Sequence, residues 1–303
     1  MSTQQDYSEA MQLETILDFI RYSFTELNQS DVFYGHGTDN AWDEAMSFVY
    51  DMLGLPLDID QSLLNSRLMD CEKQRLCDGL DKRINQRIPL AYITNKTTFA
   101  GIDFYIDERA LIPRSPIAEL IENQFSPWVS DTPASILDMC TGGGCIALAS
   151  AIHNPEAQVT GVDISEDALA VARINLDKHG LNDRVSFVQS DVYDALEDEQ
   201  YDVIVTNPPY VDAEDMSNLP NEFKHEPELA LESGADGLDC SRRIIAEAAA
   251  HLNDGGILVL EVGNSAPALE QAFPELPMVW IDFERGGQGI CVIEKADLVN
   301  LKP

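Results

Sequence analysis

From Ser135 to Glu294, short apolar runs alternate with amphipathic stretches, and that alternation limits the fold more than any other feature of the chain. "SILDM", "QVTGVD", "VSFVQSD", "YDVIVT" and "GGILVLEVG" read as buried strands. Between them, "CIALASAI", "SEDALAVARINLDKHG" and "SRRIIAEAAAHL" read as helices, the second capped by Ser165 and stopped by Gly180. "VWIDF" and "GICVIEK" read as a closing strand pair. Strands and helices that alternate in this way build a mostly parallel, doubly wound sheet.

The stretch before it has another character. Residues from about Ser8 to Gln86 read as helices. "MQLETILDFIRYSFTEL" places Met11, Ile16, Phe19, Ile20 and Leu27 near one helical face. "DNAWDEAMSFVYDMLG" has Asp39 or Asn40 as its cap and Gly54 as its stop. A third helix is expected over "QSLLNSRLMDCEKQRLCDGLDKRI", ending before Pro89, and "TFAGIDFYIDERALIP" suggests a hairpin around Gly101. The expected division is therefore a helical domain over 1–88, a hairpin linker over 89–112 and a sheet domain over 113–303.

Charge narrows the partners. The 303 residues hold 53 acidic against 19 basic side chains, a net charge of −34. Binding to nucleic acid rests on Lys and Arg neutralising phosphates, so this chain is expected not to bind it directly. Basic partners suit it better, although such acidity also fits a solubility or salt regime of the source. The six cysteines show no C-x-x-C spacing and no His/Cys cluster, so no metal site is expected. "MSTQQDYSEAMQLET" has neither the basic nor the apolar region of a signal peptide, and no apolar run reaches membrane-spanning length. A cytoplasmic protein with free thiols is expected.

The turn in "ILDMCTGGGCIALA" carries chemistry. Gly142, Gly143 and Gly144 let backbone approach a ligand at the positive end of a helix. Gly142-x-Gly144-x-x-Ala147 satisfies the dinucleotide fingerprint, so a nicotinamide-cofactor dehydrogenase is one reading. Asp138, at the mouth of the turn, argues against it: a carboxylate there repels a pyrophosphate and attracts a cationic ligand such as S-adenosylmethionine. Asp163 ends the next strand, where it can accept both ribose hydroxyls. Asp191 ends the one after, where it can accept from an adenine amine while the Val192 N–H serves a ring nitrogen. Three glycines alone also make a plain turn, and Asp191 alone also caps a helix. Together they outline a nucleoside pocket at the carboxyl ends of parallel strands.

After the fourth of these strands comes "NPPY". Asn207 and Pro208 precede prolines, which stiffens the corner and keeps it extended. The Asn207 side-chain oxygen and the Pro208 carbonyl are two fixed acceptors that match the two N–H bonds of a planar NH₂ group. Pro209 continues the rigid segment, and Tyr210 offers a face to a flat group. The alternative is a structural proline turn.

With "DMCTGGGC" after the first strand and "TNPPYVDAEDM" after the fourth, the chain resembles the class I S-adenosylmethionine-dependent amino-methyltransferases. More narrowly, "LIPRSPIAELI" and "HEPELALESGADGLDCSRRI" resemble the HemK family of protein glutamine methyltransferases. Arg114-Ser115-Pro116-Ile117 and "LPNEFKHEPELAL" look like its branch acting on the large-subunit ribosomal protein uL3. The resemblance covers about residues 85 to 295 and is thinner over the N-terminal helices. It implies a Rossmann-like seven-stranded sheet with an N-terminal helical domain and a connecting β-hairpin. It implies cofactor contacts at Asp138, Cys140, Thr141, Gly142, Gly143, Gly144, Asp163, Ile164, Asp191, Val192 and Asn207, and a glutamine-holding segment at Asn207, Pro208, Pro209 and Tyr210. Gly143 stands where Ser or Thr is commoner, and Val192 where the release-factor branch often has a large aromatic.

The implied reaction is in-line methyl transfer to a glutamine amide nitrogen, leaving S-adenosylhomocysteine. Two rivals stand beside it: a nucleic-acid amino-methyltransferase, which needs a basic surface, and a non-catalytic ribosome-assembly factor. The helical domain carries no cofactor motif, so it is expected to choose the protein substrate. Attraction between its acidic stretches and a basic ribosomal protein would fade as salt screens it.

Overall fold

Thr15 and Asp18 start the first helix by capping each other. Thr15 Oγ1 accepts from the Asp18 N–H at 3.1 Å, and Asp18 Oδ2 accepts from the Thr15 N–H at 3.0 Å. In this computed structural model, which describes residues 7–56, 58–129 and 131–301, helix α1 then runs Ile16–Gln29. The first six residues of the stretch read for a signal peptide, "MSTQQD", lie outside the described residues. Helix α2, Ala41–Leu53, begins where the Asn40 oxygen accepts from the Trp42 and Asp43 N–H groups, and it ends at Gly54 with φ 68°. Asn40 is thus the cap, not Asp39.

The third expected helix is broken. Gln61–Asn65 is a short 3₁₀ turn, and helix α3 spans only Asp70–Ile84. The residues between are extended because their backbone is engaged elsewhere. The Leu68 N–H donates to Glu14 O at 2.8 Å, and Ser66 O accepts from Ile16 N–H at 3.2 Å. Glu72 then restarts the helix by accepting from the Met69 N–H at 2.8 Å. Met11, placed on the first helix by its spacing, lies instead in a separate 3₁₀ turn, Ala10–Gln12. Helix α4 is Leu90–Thr94.

The chain divides into two compact units. The first holds residues up to Thr97 together with Pro220–His225. Phe19, Ile20, Phe48, Val49, Leu76 and Leu80 form its core. A buried ion cluster crosses it. Arg83 Nε donates to Glu44 Oε1 at 2.5 Å, Nη1 to Glu222 Oε1 at 3.0 Å, and Nη2 to Phe33 O at 2.7 Å.

The second unit holds the remainder. Strands β1 (Thr97–Phe99) and β2 (Ile102–Phe104) pair across Ala100 and Gly101, both at positive φ. The 89–112 segment read as a linker is divided between the units. Leu90 lies in the core of the first, and Phe99 and Phe104 lie in the core of the second.

Helix α5 (Ile117–Glu122) leads into β3 (Ser135–Met139), α6 (Cys145–His153), β4 (Gln158–Asp163), α7 (Glu166–His179), β5 (Val185–Gln189) and β6 (Tyr201–Thr206). Then come α8 (Ala213–Asn218), α9 (Asp239–Ala248), β7 (Leu252–Glu261), α10 (Ala266–Ala272), β8 (Val279–Trp280), β9 (Ile290–Glu294) and α11 (Lys295–Leu298). Among the described residues, seven strands form one sheet in the order β5-β4-β3-β6-β7-β9-β8. All pairs are parallel except those of β9, which runs against β7 and β8.

Alternate side chains bury opposite faces. Ile136, Val203, Val205 and Val259 pack with Leu148 of α6, while Leu137, Ile204 and Leu258 pack with Ile244 and Ile245 of α9. The strand order reverses between β3 and β6, the place where open α/β sheets bind ligands at their carboxyl ends. Among the described residues, no helix is long and apolar enough to cross a membrane. No disulfide joins the cysteines.

Candidate active site

A cleft of about 430 Å³ opens at the carboxyl ends of β3, β4, β5 and β6, and it lies wholly within the second unit. That volume falls in the range of small-molecule sites. Cys140 and Gly142 supply its wall from the turn after β3, and Asp163 and Ile164 from the end of β4. Asp191 and Val192 line it after β5, and Asn207 and Pro209 after β6.

The turn after β3 is shaped for close approach. Gly142 has φ 54°, and a Cβ there would meet nothing within 4 Å, because it would stand in the cleft. Gly144, at φ 80°, faces inward. Its Cβ would lie 2.8 Å from the Phe187 ring and 2.9 Å from Ala172, so only glycine lets α6 begin there. Gly143 is packed near Val171 and Ala110 and does not line the cleft. Cys140 and Val192 hold φ of 60° and 52°, a conformation that costs non-glycine residues about 1–3 kcal/mol and is retained where the surroundings demand it.

The structure places Asp138 behind the cleft wall. Its side chain is fully buried beneath the turn and does not reach the cleft. Oδ2 accepts from Thr141 Oγ1 at 2.5 Å and from the Ala147 N–H at 2.9 Å. Burial pushes its pKa up to about 7, against those two hydrogen bonds. Asp138 therefore fixes the turn and the first residues of α6. Thr141 is likewise buried behind the wall.

Asp163 does reach the cleft. One carboxylate oxygen accepts from the Gly142 N–H at 2.8 Å and the other from the Ser165 N–H at 2.9 Å. It thereby ties the glycine turn to the end of β4, a link the sequence reading did not contain. Burial raises its pKa, and the N–H groups of Ser165 and Gly142 oppose the shift. Asp191 is paired with Arg243 Nη1 at 2.8 Å, and Arg243 Nη2 donates to the Asp191 carbonyl at 3.0 Å. Arg243 sits on α9 in "SRRII", where nothing in the local pattern distinguishes it from a solvated helix residue.

At the end of β6, Thr206 Oγ1 donates to Met139 O at 2.8 Å and locks the strand end against β3. Asn207 emerges from this fixed point, half-buried on the cleft wall. Pro208 is buried, and Tyr210 lies off the wall, so within the corner only Asn207 and Pro209 face the cleft. The far wall went unnoticed in the sequence. Val211 pairs with the Leu231–Ser233 segment, donating to Leu231 O at 2.8 Å and accepting from the Ser233 N–H at 3.0 Å. That pairing brings Glu232, Ser233 and Gly234 to the cleft. Arg109 lines another side, its guanidinium held by Asp107 at 2.6 and 2.8 Å.

Residues 124–237 match the family described as Methyltransferase small domain. The chain is 46 % identical over 305 residues to the ribosomal protein uL3 glutamine methyltransferase of Francisella tularensis subsp. tularensis, covering 100 % of this chain and 97 % of that protein. It is 43 % identical over 293 residues to the protein of the same description from Neisseria gonorrhoeae, covering 96 % and 98 %. Among solved structures, it aligns with the hMettl16 catalytic domain in complex with MAT2A 3′UTR hairpin 6 at a TM-score of 0.52 and 16 % identity, covering 82 % of this chain and 91 % of that one. At that identity the likeness is one of fold.

Proposed function

Because this chain belongs to the ribosomal protein uL3 glutamine methyltransferase family, we propose that it transfers a methyl group from S-adenosyl-L-methionine to the side-chain amide nitrogen of a glutamine in uL3. Its second unit has the class I methyltransferase fold. The observation that carries the assignment of roles is the presence of Asn207 on the wall of the same cleft as Gly142, Asp163 and Asp191. An amide-gripping side chain thereby shares one cavity with a nucleoside-binding set.

The cofactor, when bound, supplies an electrophilic methyl on a sulfonium. Asp163 takes the ribose hydroxyls on the lone pairs that its two backbone partners leave free. Gly142 offers unobstructed backbone, and the Val192 N–H with the Asp191 carboxylate, steadied by Arg243, reads the base. Ile164, nearly half exposed at the cleft, supplies apolar cover. The Asn207 oxygen accepts one N–H bond of the substrate amide, and the Pro208 carbonyl, on the peptide bond to the cleft-lining Pro209, accepts the other. An amide lone pair is delocalised and weakly nucleophilic, so fixing both hydrogens turns it toward the methyl. Orientation of this kind is worth up to roughly 7–11 kcal/mol in favourable cases. The N-methylated amide sheds its proton readily, so no strong base is required.

The helical unit is assigned to substrate choice. Its partner is a protein that packs on ribosomal RNA and is therefore basic, which suits a net charge of −34. The same charge disfavours direct contact with nucleic acid. The place of work is the cytoplasm, where ribosomes assemble.

The deciding experiment is transfer of labelled methyl into ribosomal protein from cells lacking the enzyme, followed by peptide mapping. Label on a glutamine of uL3 supports the reading; label only on RNA overturns it. For the ribose assignment, Asp163→Ala weakens cofactor binding by about 1–3 kcal/mol, the scale of hydrogen bonds to a charged group. Calorimetry that finds no loss removes Asp163 from that role.

A further inference from the structure

The Asn-Pro-Pro-Tyr corner is held from behind by groups that the reading above does not use. Three contacts fix Tyr210. Its carbonyl accepts from Ser265 Oγ at 2.9 Å. Its ring lies against Gly263, where a Cβ would sit only 2.6 Å from a ring carbon, so the approach requires glycine. Gly263 is itself anchored, its N–H donating to Gly289 O at 3.2 Å. The third contact is long and polar: the Tyr210 hydroxyl donates to Glu261 Oε1 over 3.5 Å.

Glu261 is the last residue of β7 and is 5 % exposed. Its other oxygen accepts from Ser115 Oγ at 2.5 Å, and Ser115 Oγ accepts in turn from the Ile117 N–H at 3.1 Å. A buried carboxyl is costly, and an apolar residue would fill the same space without that cost. Here both of its oxygens are spent on hydroxyls, and one of those hydroxyls belongs to the proposed substrate-holding segment.

The geometry points to Glu261 as a positioning residue for methyl transfer: through the Tyr210 hydroxyl it fixes the corner from which Asn207 reaches the cleft. This rests on the role given to Asn207 above. Burial pushes the Glu261 pKa up to about 7, opposed by the Ser115 hydroxyl, the Arg114 charge and the Tyr210 hydroxyl. Glu226 stands beside the same cluster, bound to Arg114 at 3.0 Å. The carboxyl can therefore change its charge near neutral pH while it holds Tyr210.

The test compares wild type with Glu261→Ala, Glu261→Gln, Tyr210→Phe and the double variant Glu261→Ala/Tyr210→Phe. Glu261→Ala lowers kcat about tenfold, the scale of one hydrogen bond, with the cofactor dissociation constant unchanged. Glu261→Gln, which keeps the shape but exchanges one acceptor oxygen for a donor as protonation does, holds kcat at the low-pH value of the wild type across the whole profile. In the Tyr210→Phe background, Glu261→Ala changes kcat by less than about twofold, because the link is already cut. The wild-type kcat profile carries an inflection near pH 7 that Glu261→Gln removes. Multiplying effects in the double variant, or cofactor affinity that falls in step with kcat, overturns the inference. If Glu261→Ala does not fold, the pH profile of Glu261→Gln decides: a persisting inflection overturns it. Failure of the underlying reading looks different, because Asn207→Ala would then keep the wild-type kcat.

Discussion

Asn207→Ala lowers kcat by roughly 10²-fold or more, while cofactor affinity stays within about twofold. Asn207 leaves β6 at a point locked by the Thr206 hydroxyl against the Met139 carbonyl, so its oxygen has a defined place. Alanine removes that acceptor and leaves the fold of the corner, which the two prolines and the contacts of Tyr210 maintain. The Pro208 carbonyl then holds one amide hydrogen alone, and the amide rotates out of line. Loss of an orienting contact appears in kcat more than in KM, because the contact is needed most when the lone pair must point at the methyl. Single-turnover transfer into uL3 measures the step, and calorimetry measures the cofactor. Turnover close to wild type would take Asn207 out of the mechanism.

Arg83→Ala destabilises the helical unit by about 3–5 kcal/mol, the usual result of removing one member of a buried ion cluster. Arg83 and both of its carboxylate partners, Glu44 and Glu222, are almost wholly buried. Without the guanidinium, Glu44 and Glu222 are buried together, and Glu222 is left to the longer contact with Arg87 Nη1 at 3.5 Å. Glu222 depends on its surroundings: burial acts to raise its pKa, yet the Phe33 N–H and the Arg83 guanidinium outweigh burial and hold it below the usual carboxylate value. Lysine does not rescue the site, because one ammonium cannot replace a fork that meets Glu44, Glu222 and the Phe33 carbonyl together. Denaturant unfolding of each variant gives the values, and a loss below about 1 kcal/mol for Arg83→Ala contradicts the argument.

The Asp212–Glu232 loop follows the corner, and part of it, Pro220–His225, belongs to the helical unit. His225 Nε2 meets Gln86 O at 2.9 Å, and Phe223 packs at 5.7 Å between ring centres on Phe33.

Local order was legible in the chain alone. Asn40, Gly54, Ser165 and Gly180 bound their helices where the sequence places them. The strands with acids at their ends run in the expected positions, and the Asn-Pro-Pro-Tyr corner follows the expected strand. These features are set by caps, turn residues and side-chain period within about ten residues, and such forces act in any context. Where the expected helix from Gln61 failed, a bridge between Thr15 and Arg67 had taken the backbone groups it needed.

Distance in the chain decided the rest. Which residues of the glycine turn face the cleft depends on Phe187 and Ala172, which press on Gly144, and on Asp163, which grips Gly142. Asp191 and Arg243 are 52 positions apart, Arg83 and Glu222 are 139, and Ser115 and Glu261 are 146. No period or spacing rule relates such pairs. They meet because the strand order and register of the sheet, and the return of one short segment to the helical unit, put their backbones side by side. For Arg83 and Glu222, burial then makes an unpaired charge too costly to leave alone. The sequence by itself determined the elements, their ends and the chemical kinds of group at those ends. Only the packed structure decided which of those groups became the wall, which became the scaffold behind it, and which distant charges hold them there.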